Sequence, residues 1–451
     1  MNSITAIGPA KKLIGWEKTE IRALLTWIFT WVFLSNACFI ALWFVGSPPR
    51  YGEILVIAIL GMIVNRSSFM IRYLYFTAAM LWTTLNFVAD VFNLDLPRLL
   101  ASLKFMLSIN LASSPVYVLA TLGIVGVLTG AYFTMRRDSR IMRWWYYPIA
   151  LFAALGVATV DYTLSSELRG HYKRAPAAGT PFSSAMEQSD MPARANGQRH
   201  LVLIMVESLG QPVNNTEMQR LLFEQYRKSD AVLSRYELSS GTTPFFGSTT
   251  RGEIREMCGR WGEYFPLMAK PDNRCLPNQL AQQGYETMAM HSFNGVFFDR
   301  SKWYPNIGFQ KSYFADDLIK KGASKCGGVF PGACDRDVPK LMSDALRAAE
   351  KPTFLYWLTV NSHLPVLAGH NLNVEKCQRV SVELAENYPH ICSQYAVWND
   401  IDQAIISQIT ASDFPEADIL LVSDHMPPFF DRHHRKQIDP ANVPWLYLKR
   451  K

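Results

Sequence analysis

The chain has 451 residues, 49% of them hydrophobic and 18% charged, with a formal net charge of +7. That length allows two or three domains, and the charged fraction is lower than in an ordinary soluble protein. No basic run is interleaved with aromatics, which excludes a nucleic-acid-binding class.

The apolar excess lies in the first third of the chain. Segments 24–45, 69–92, 115–135 and 144–162 are each long enough to cross a bilayer. Segment 54–64 is apolar but short, and spans only if its flanks extend it or if it is re-entrant. Five spans are expected. Lys11, Lys12, Lys18 and Arg22 precede the first, and Arg136, Arg137, Arg140 and Arg143 lie between the fourth and fifth. Flanks rich in Lys and Arg stay in the cytoplasm. An even number of spans separates the two clusters, so both assignments agree and everything after Tyr162 is expected outside the cytoplasm. The first apolar run is too long for a cleaved signal peptide and has no small-residue cleavage site. Segment 94–114, with Arg98 and Lys104, reads either as an amphipathic helix on the outer interface or as a plain loop helix.

Residues 163–199 are rich in Ala, Pro, Ser, Gly and Arg and read as a linker. The domain plan is thus a helical membrane domain at 1–162, a linker at 163–199 and an outer domain at 200–451. In the outer domain apolar runs alternate with helical patterns at 216–227, 276–283, 337–349 and 392–410. This alternation predicts an α/β domain on a mostly parallel sheet. Four runs end in polar residues: LVLIMVE in Glu207, TMAMH in His291, FLYWLTVNSH in His363, and ADILLVSDH in Asp424 and His425. Open α/β sheets bind ligands beyond the carboxyl ends of their strands. The four ends therefore predict one polar site. Glu207 could instead cap a helix, His291 could be a core histidine, and Arg300 could pair with Asp299.

Cys38 lies in the first apolar run, and the other six cysteines follow the membrane region. Nearest-neighbour bridges, Cys258–Cys275, Cys326–Cys334 and Cys377–Cys392, are expected because each closes a short loop. Disulfides fit an oxidising compartment such as a periplasm. A structural zinc site is the rival, but no CxxC pair is present. The stretch from Ser239 to Pro244 leads into Gly247-Ser248-Thr249-Thr250-Arg251-Gly252-Glu253, dense in small hydroxyl residues, which opens a predicted helix. Hydroxyls there can meet an anion at the helix N-terminus. The bland alternative is a Ser/Thr-rich loop with a helix cap.

VESLG, GSTTRGE, HSFNGVFFDR, TVNSHLP and LLVSDH, in this order, resemble the membrane-anchored phosphoglycerol transferases. These belong to the alkaline phosphatase/sulfatase superfamily and include lipoteichoic acid synthase. The resemblance implies a multi-pass inner-membrane enzyme of a bacterium, with an alkaline phosphatase/sulfatase-like domain in the periplasm. Residue by residue it implies that Thr249 is the nucleophile. Glu207, Thr249, Asp424 and His425 would hold one divalent metal, Mn or Zn. His363 would contact the transferred phosphoryl group, and His291 and Arg300 would bind the headgroup. His433 and His434 are weaker candidates, in a region where the related phosphoethanolamine transferases use histidine. Those relatives also share the architecture and multiple disulfides. The chain departs from the family at Met426, where Gly is usual, and at Phe298, where lipoteichoic acid synthase has Trp.

The implied activity is transfer of a phosphoglycerol headgroup from a phospholipid, phosphatidylglycerol or phosphatidylethanolamine, to a glycan or lipid hydroxyl. Phosphoethanolamine transfer is the nearest alternative. A sulfatase or phosphodiesterase is another, although a formylglycine enzyme needs Cys or Ser in a C/S-x-P-x-R context, and none surrounds Thr249. A non-catalytic binding or sensor module is the last.

Overall fold

A computed structural model describes residues 18–92, 94–110, 115–137, 139–166, 175–429 and 431–451. Lys11, Lys12, residues 167–174 of the expected linker and residues 111–114 lie outside the described residues. The chain divides into two compact units. One comprises Met1–Trp43, Pro49–Thr84 and Ala120–Ser166, the other Phe44–Pro48, Leu85–Leu119 and Glu167–Lys451. The expected 1–162 domain thus cedes 44–48 and 85–119 to the C-terminal unit.

The first unit is helical. Among the described residues three helices are long and apolar enough to cross a membrane: Lys18–Trp43, Pro115–Arg136 and Trp144–Leu164. Tyr51–Ile63 has 13 residues, about 20 Å of helix against a hydrocarbon core of about 30 Å. Phe69–Val91 has the length, 23 residues, but Arg72, Asp90 and several Thr and Tyr side chains dilute its apolar character. Three helices therefore meet both criteria, against five expected. A buried cation in such a unit must be partnered. Arg50 donates to Asn36 Oδ1 (3.2 Å) and Thr83 Oγ1 (2.5 Å), and its backbone N–H donates to Asp161 Oδ2 (2.6 Å).

The second unit is built on strands β1 (His200–Val206), β2 (Tyr236–Pro244), β3 (Glu286–His291), β4 (Lys311–Tyr313), β5 (Lys325–Cys326), β6 (Gly332–Ala333), β7 (Thr353–Leu358), β8 (Ala417–Ser423) and β9 (Asn442–Arg450). Seven form one sheet in the order β2-β9-β8-β1-β7-β3-β4, while β5 and β6 make a separate ribbon. The five strands from β8 to β4 are parallel neighbours, and β9 runs antiparallel to both β8 and β2. The sheet is therefore mixed, with the expected parallel centre.

Strand periodicity sends alternate side chains to opposite faces. Val202, Ile204 and Val206 of β1 join one core with Met342 and Leu346 of helix Val338–Arg347 and Ile401 and Ile405 of helix Pro389–Ile409. Leu201, Leu203 and Met205 join the other with Ile254 and Met257 of helix Thr249–Cys258 and Leu280 of helix Leu276–Gln282. Each fully buried side chain of this kind contributes about 1.5–3 kcal/mol. Both faces being covered explains why the central strands read as unbroken apolar runs. The predicted 216–227 helix is split into Thr216–Leu221 and Glu224–Lys228, with Phe223 between them at φ 58°.

The six outer cysteines form the three nearest-neighbour disulfides, Cys258–Cys275, Cys326–Cys334 and Cys377–Cys392. They are therefore not ligands of a structural zinc.

Candidate active site

Register levels the central strand ends. Val206 of β1 pairs with Ser423 of β8, and Met205 pairs with Leu358 of β7. The next residues of β1 and β8 are Glu207 and Asp424, so the two carboxylates come together beyond the sheet edge. The chain turns at once after Glu207. Ser208 adopts φ 56°, a left-handed backbone that a non-glycine residue rarely takes. In that turn Ser208 Oγ donates to Glu207 Oε1 (2.8 Å) and the Ser208 N–H donates to Asp424 Oδ1 (2.8 Å). The His425 N–H donates to the same Oδ1 (2.7 Å).

Thr249 begins helix Thr249–Cys258, with Ser248 in extended conformation as its N-cap. Its Oγ1 lies 3.3 Å from Glu207 Oε2 and 3.3 Å from His425 Nε2. Three contacts seat this helix on the strand ends. A Cβ on Gly252 would lie 2.9 Å from Asp424 Cα and 3.0 Å from its carbonyl oxygen, so only glycine allows the approach. Arg255 donates to the carbonyls of Ser423 (2.6 Å) and Asp424 (3.3 Å). Glu253 is fully buried and accepts from Arg300 Nη2 (2.9 Å), Tyr304 OH (2.5 Å) and Tyr356 OH (3.1 Å). Gly252→Ala is expected to displace Thr249 from Asp424 and His425. A misplacement near 1 Å costs about 100-fold in rate. Turnover measured beside a thermal melt checks this, the melt showing that the variant folds.

Glu207, Asp424 and His425 bring one ligand atom each within 4.8 Å of one another. Among the described residues they are the one such group of three. The chemistry of the donors tests whether a dication fits. His425 Nδ1 faces the Met426 carbonyl at 2.8 Å. A carbonyl only accepts, so Nδ1 carries the proton and a neutral ring presents a lone pair at Nε2. That Nε2 lies 3.2 Å from Asp424 Oδ2 and 3.5 Å from Glu207 Oε1. Asp424 Oδ2 is buried and makes no hydrogen bond despite this proximity. Lone pairs converging in this way repel unless a proton or a cation lies among them. Burial first, and the Glu207 charge second, push Asp424 up to about 6. Burial alone would lower His425, but the charges of Asp424 and Glu207 outweigh it and its pKa is raised. The donor set of carboxylates, imidazole and hydroxyl fits Zn or Mn.

His363 lies five residues beyond β7. Its Nδ1–H donates to the Leu364 carbonyl (2.8 Å), leaving a lone pair at Nε2, and its ring sits 4.1 Å from that of Phe330. Burial is the main cause that lowers its pKa to about 4, with the charge of His425 adding to it. It is neutral at neutral pH. His291 ends β3, with Nδ1 donating to the Leu358 carbonyl (3.1 Å) and Nε2 buried without a hydrogen bond. Burial, then the charge of Arg300, hold its pKa well below the ordinary value. Arg300 does not pair with its neighbour Asp299. Its guanidinium is buried on Glu253 and on the Phe297 carbonyl (3.2 Å). In this structure it braces the helix of Thr249. His433 stacks on Tyr388 at 4.6 Å, and His434 bonds Asp431 Oδ1 at 2.7 Å. Neither belongs to the ligand group.

Glu253 and Asp335 are positioning residues that the motifs left out. Asp335 Oδ2 accepts from the N–H groups of Val360 (3.0 Å) and Asn361 (2.6 Å), holding the loop that carries His363. Glu253 stands in the GSTTRGE motif, so its spacing could have revealed it. Asp335 follows Cys334 and has no such signal. Burial pushes Asp335 up to about 6, above the value of about 3.9 for an unfolded Asp. The folded chain thus holds this proton more tightly. The stabilisation is complete below about pH 4 and is lost as pH rises through about 6. Asp335→Asn is expected to melt at a temperature that falls less over that window, by the equivalent of up to roughly 3 kcal/mol. Thermal unfolding of both proteins from pH 4 to 8 tests this, and parallel curves would remove the claim.

The chain matches the Sulfatase family model over residues 199–446. It is 24% identical over 247 residues to a protein of Rhizobium meliloti (strain 1021) named "Putative cyclic beta-1,2-glucan modification protein". That match covers 51% of this chain and 36% of the relative, so the chain spans about a third of that protein's length. Among solved structures it is similar to lipooligosaccharide phosphoethanolamine transferase A from Neisseria meningitidis, with 13% identity, a TM-score of 0.47, and 95% of this chain and 88% of that one covered. It is also similar to the lipoteichoic acid synthase LtaP from Listeria monocytogenes, with 12% identity, a TM-score of 0.41 and coverage of 58% and 71%. The phosphoglycerol transferase GacH of Streptococcus pyogenes gives 16% identity, a TM-score of 0.39 and coverage of 60% and 78%. By its match over more than half its length, the chain belongs to the sulfatase family.

Proposed function

We propose that this protein is a membrane-bound phosphotransferase that moves a phosphoglycerol headgroup from a phospholipid to a glycan or lipid hydroxyl outside the cytoplasm. The observation that carries this reading is Thr249 Oγ1 at 3.3 Å from both Glu207 and His425, at a helix N-terminus. Such a terminus favours an incoming phosphate. In the first half-reaction Thr249 Oγ bonds to phosphorus, and the bond from phosphorus to the diacylglycerol oxygen breaks. Glu207 Oε2 takes the threonine proton and passes it to the departing diacylglycerol. In the second half the acceptor hydroxyl attacks phosphorus and the bond to Thr249 Oγ breaks. The neutral His363, with its lone pair at Nε2, takes the acceptor proton, which returns to Thr249. A divalent ion, Mn or Zn, held by Glu207, Thr249, Asp424 and His425 would lower the threonine pKa and offset charge on the phosphoryl oxygens.

The reading includes five membrane spans, with Lys18, Arg22 and Arg136–Arg143 on the cytoplasmic side of a bacterial inner membrane and the site in the periplasm. The three disulfides fit that compartment. The likeness to a glucan modification protein supports a glycan acceptor. The second reading, phosphoethanolamine transfer, uses the same residues and is favoured by the multiple disulfides.

Intact mass separates the two. The full chain is incubated with phosphatidylglycerol or phosphatidylethanolamine and Mn or Zn. A metal-dependent adduct that Thr249→Ala lacks is the expected result, and the added mass names the headgroup. Bound metal with no adduct from either lipid would turn the reading towards hydrolysis.

A further inference from the structure

A row of aromatic rings leads away from His363. Phe330 stands against His363 at 4.1 Å, Phe297 lies 5.7 Å from Phe330, and Phe105 lies 5.6 Å from Phe297, centroid to centroid. Phe298 flanks Phe297 at 4.5 Å. Phe297 and Phe330 are half-buried and pack into neither core of the sheet. Val296, next in line, is 61% exposed. An apolar row that starts at the phosphoryl-handling end of a site and finishes at an exposed valine is not explained by the chemistry at Thr249.

The far end of the row is held by Leu96–Ser102 and Leu103–Ser108. Lys104 pairs with Asp299 (2.6 Å) and Arg98 with Glu263 (3.1 Å). The Asn110 N–H donates to the Val329 carbonyl (2.8 Å), directly beside Phe330. Five residues after Asn110 the chain enters helix Pro115–Arg136, and five residues reach at most about 17 Å. Phe298 and Asp299 both have left-handed backbones, at φ 55° and 53°. For residues of this kind such strain persists where the surroundings over-determine it, often at ligand clamps.

We infer that this row seats the acyl-glycerol part of the phospholipid donor, with Phe330 at the headgroup end and Val296 at the bilayer end. The inference rests on the proposed function and names where its donor lies. Charge favours a lipid over a sugar. The ammonium groups of Lys104 and Lys302 are largely exposed beside the row, where an anionic lipid surface would meet them. Asp299, the acid beside the rings, accepts from both lysines and so does not offer the open acceptor that sugar hydroxyls would need. Leu100 and Leu103, also exposed on the adjoining segment, extend the apolar face.

The test uses the full chain carrying Thr249→Ala, in nanodiscs of phosphatidylglycerol with a diazirine on the acyl chain. After irradiation the labelled peptides are mapped. Label is expected on 296–298 and on Phe330, as well as on the membrane helices. Adding Val296→Asp, at an exposed position that the fold tolerates, should cut the row's label by about tenfold or more while the helices stay labelled. Label confined to the membrane helices overturns the inference. So does unchanged row labelling in Val296→Asp, and so does a loss of glycan binding in that variant with lipid label intact. Labelling needs no turnover, so a missing phospho-Thr would count against the role of Thr249 and not against the row.

Discussion

Thr249→Ala is expected to lower headgroup transfer by at least about four orders of magnitude, the scale on which removal of a covalent nucleophile acts. The protein should remain folded. Thr249 is the first residue of its helix, Ser248 is the N-cap, and the change removes only a hydroxyl and a methyl group. Thr249→Ser keeps the oxygen and should retain part of the rate. The pair therefore separates a missing nucleophile from a disturbed helix. Steady-state transfer, intact mass and a thermal melt on the three proteins decide the matter. An alanine variant working within about tenfold of wild type would place the nucleophile elsewhere.

Breaking the Glu253–Arg300 pair has the largest expected effect on stability. Both groups are buried, and removing one partner of a buried pair costs about 3–5 kcal/mol because the other charge is left uncompensated. In Glu253→Ala the hydroxyls of Tyr304 and Tyr356 also lose their acceptor. For a domain of this size that corresponds to roughly 6–20 °C in melting temperature. Replacing both residues together, Glu253→Gln with Arg300→Met, should recover much of the loss. Arg300→Met alone separates the bracing role from the headgroup-binding role implied by family resemblance. A large drop in melting temperature identifies a brace. A normal melt with a raised KM for the donor would return Arg300 to substrate binding.

The ends of β1, β3, β7 and β8 were legible because a strand buried on both faces leaves an unbroken apolar run, and the first polar residue after it marks the sheet edge. The disulfides were legible because each closes a short loop. The partner of Arg300 was not. Asp299 is its neighbour in sequence, but the acid that binds it, Glu253, lies 47 residues away and meets it only through tertiary packing. Asp335 was invisible for the same reason, since its two amide partners sit on the loop after β7. The split at Phe223 had no glycine or proline to announce it. The segment 94–110 read as a free interfacial helix, whereas its ion pairs to Glu263 and Asp299 bind it to the outer unit.

The helix that carries Thr249 can be viewed as a lever. It ends at Cys258, which is bonded to Cys275 at the head of the next helix. Ten residues make it about 15 Å long. A tilt of about 4° at the pinned end therefore moves the working end by about 1 Å, enough to change the rate by about 100-fold. Thiol chemistry at Cys258 is thus mechanically connected to phosphoryl chemistry at Thr249, and an unoxidised chain carries its nucleophile on an unfastened arm.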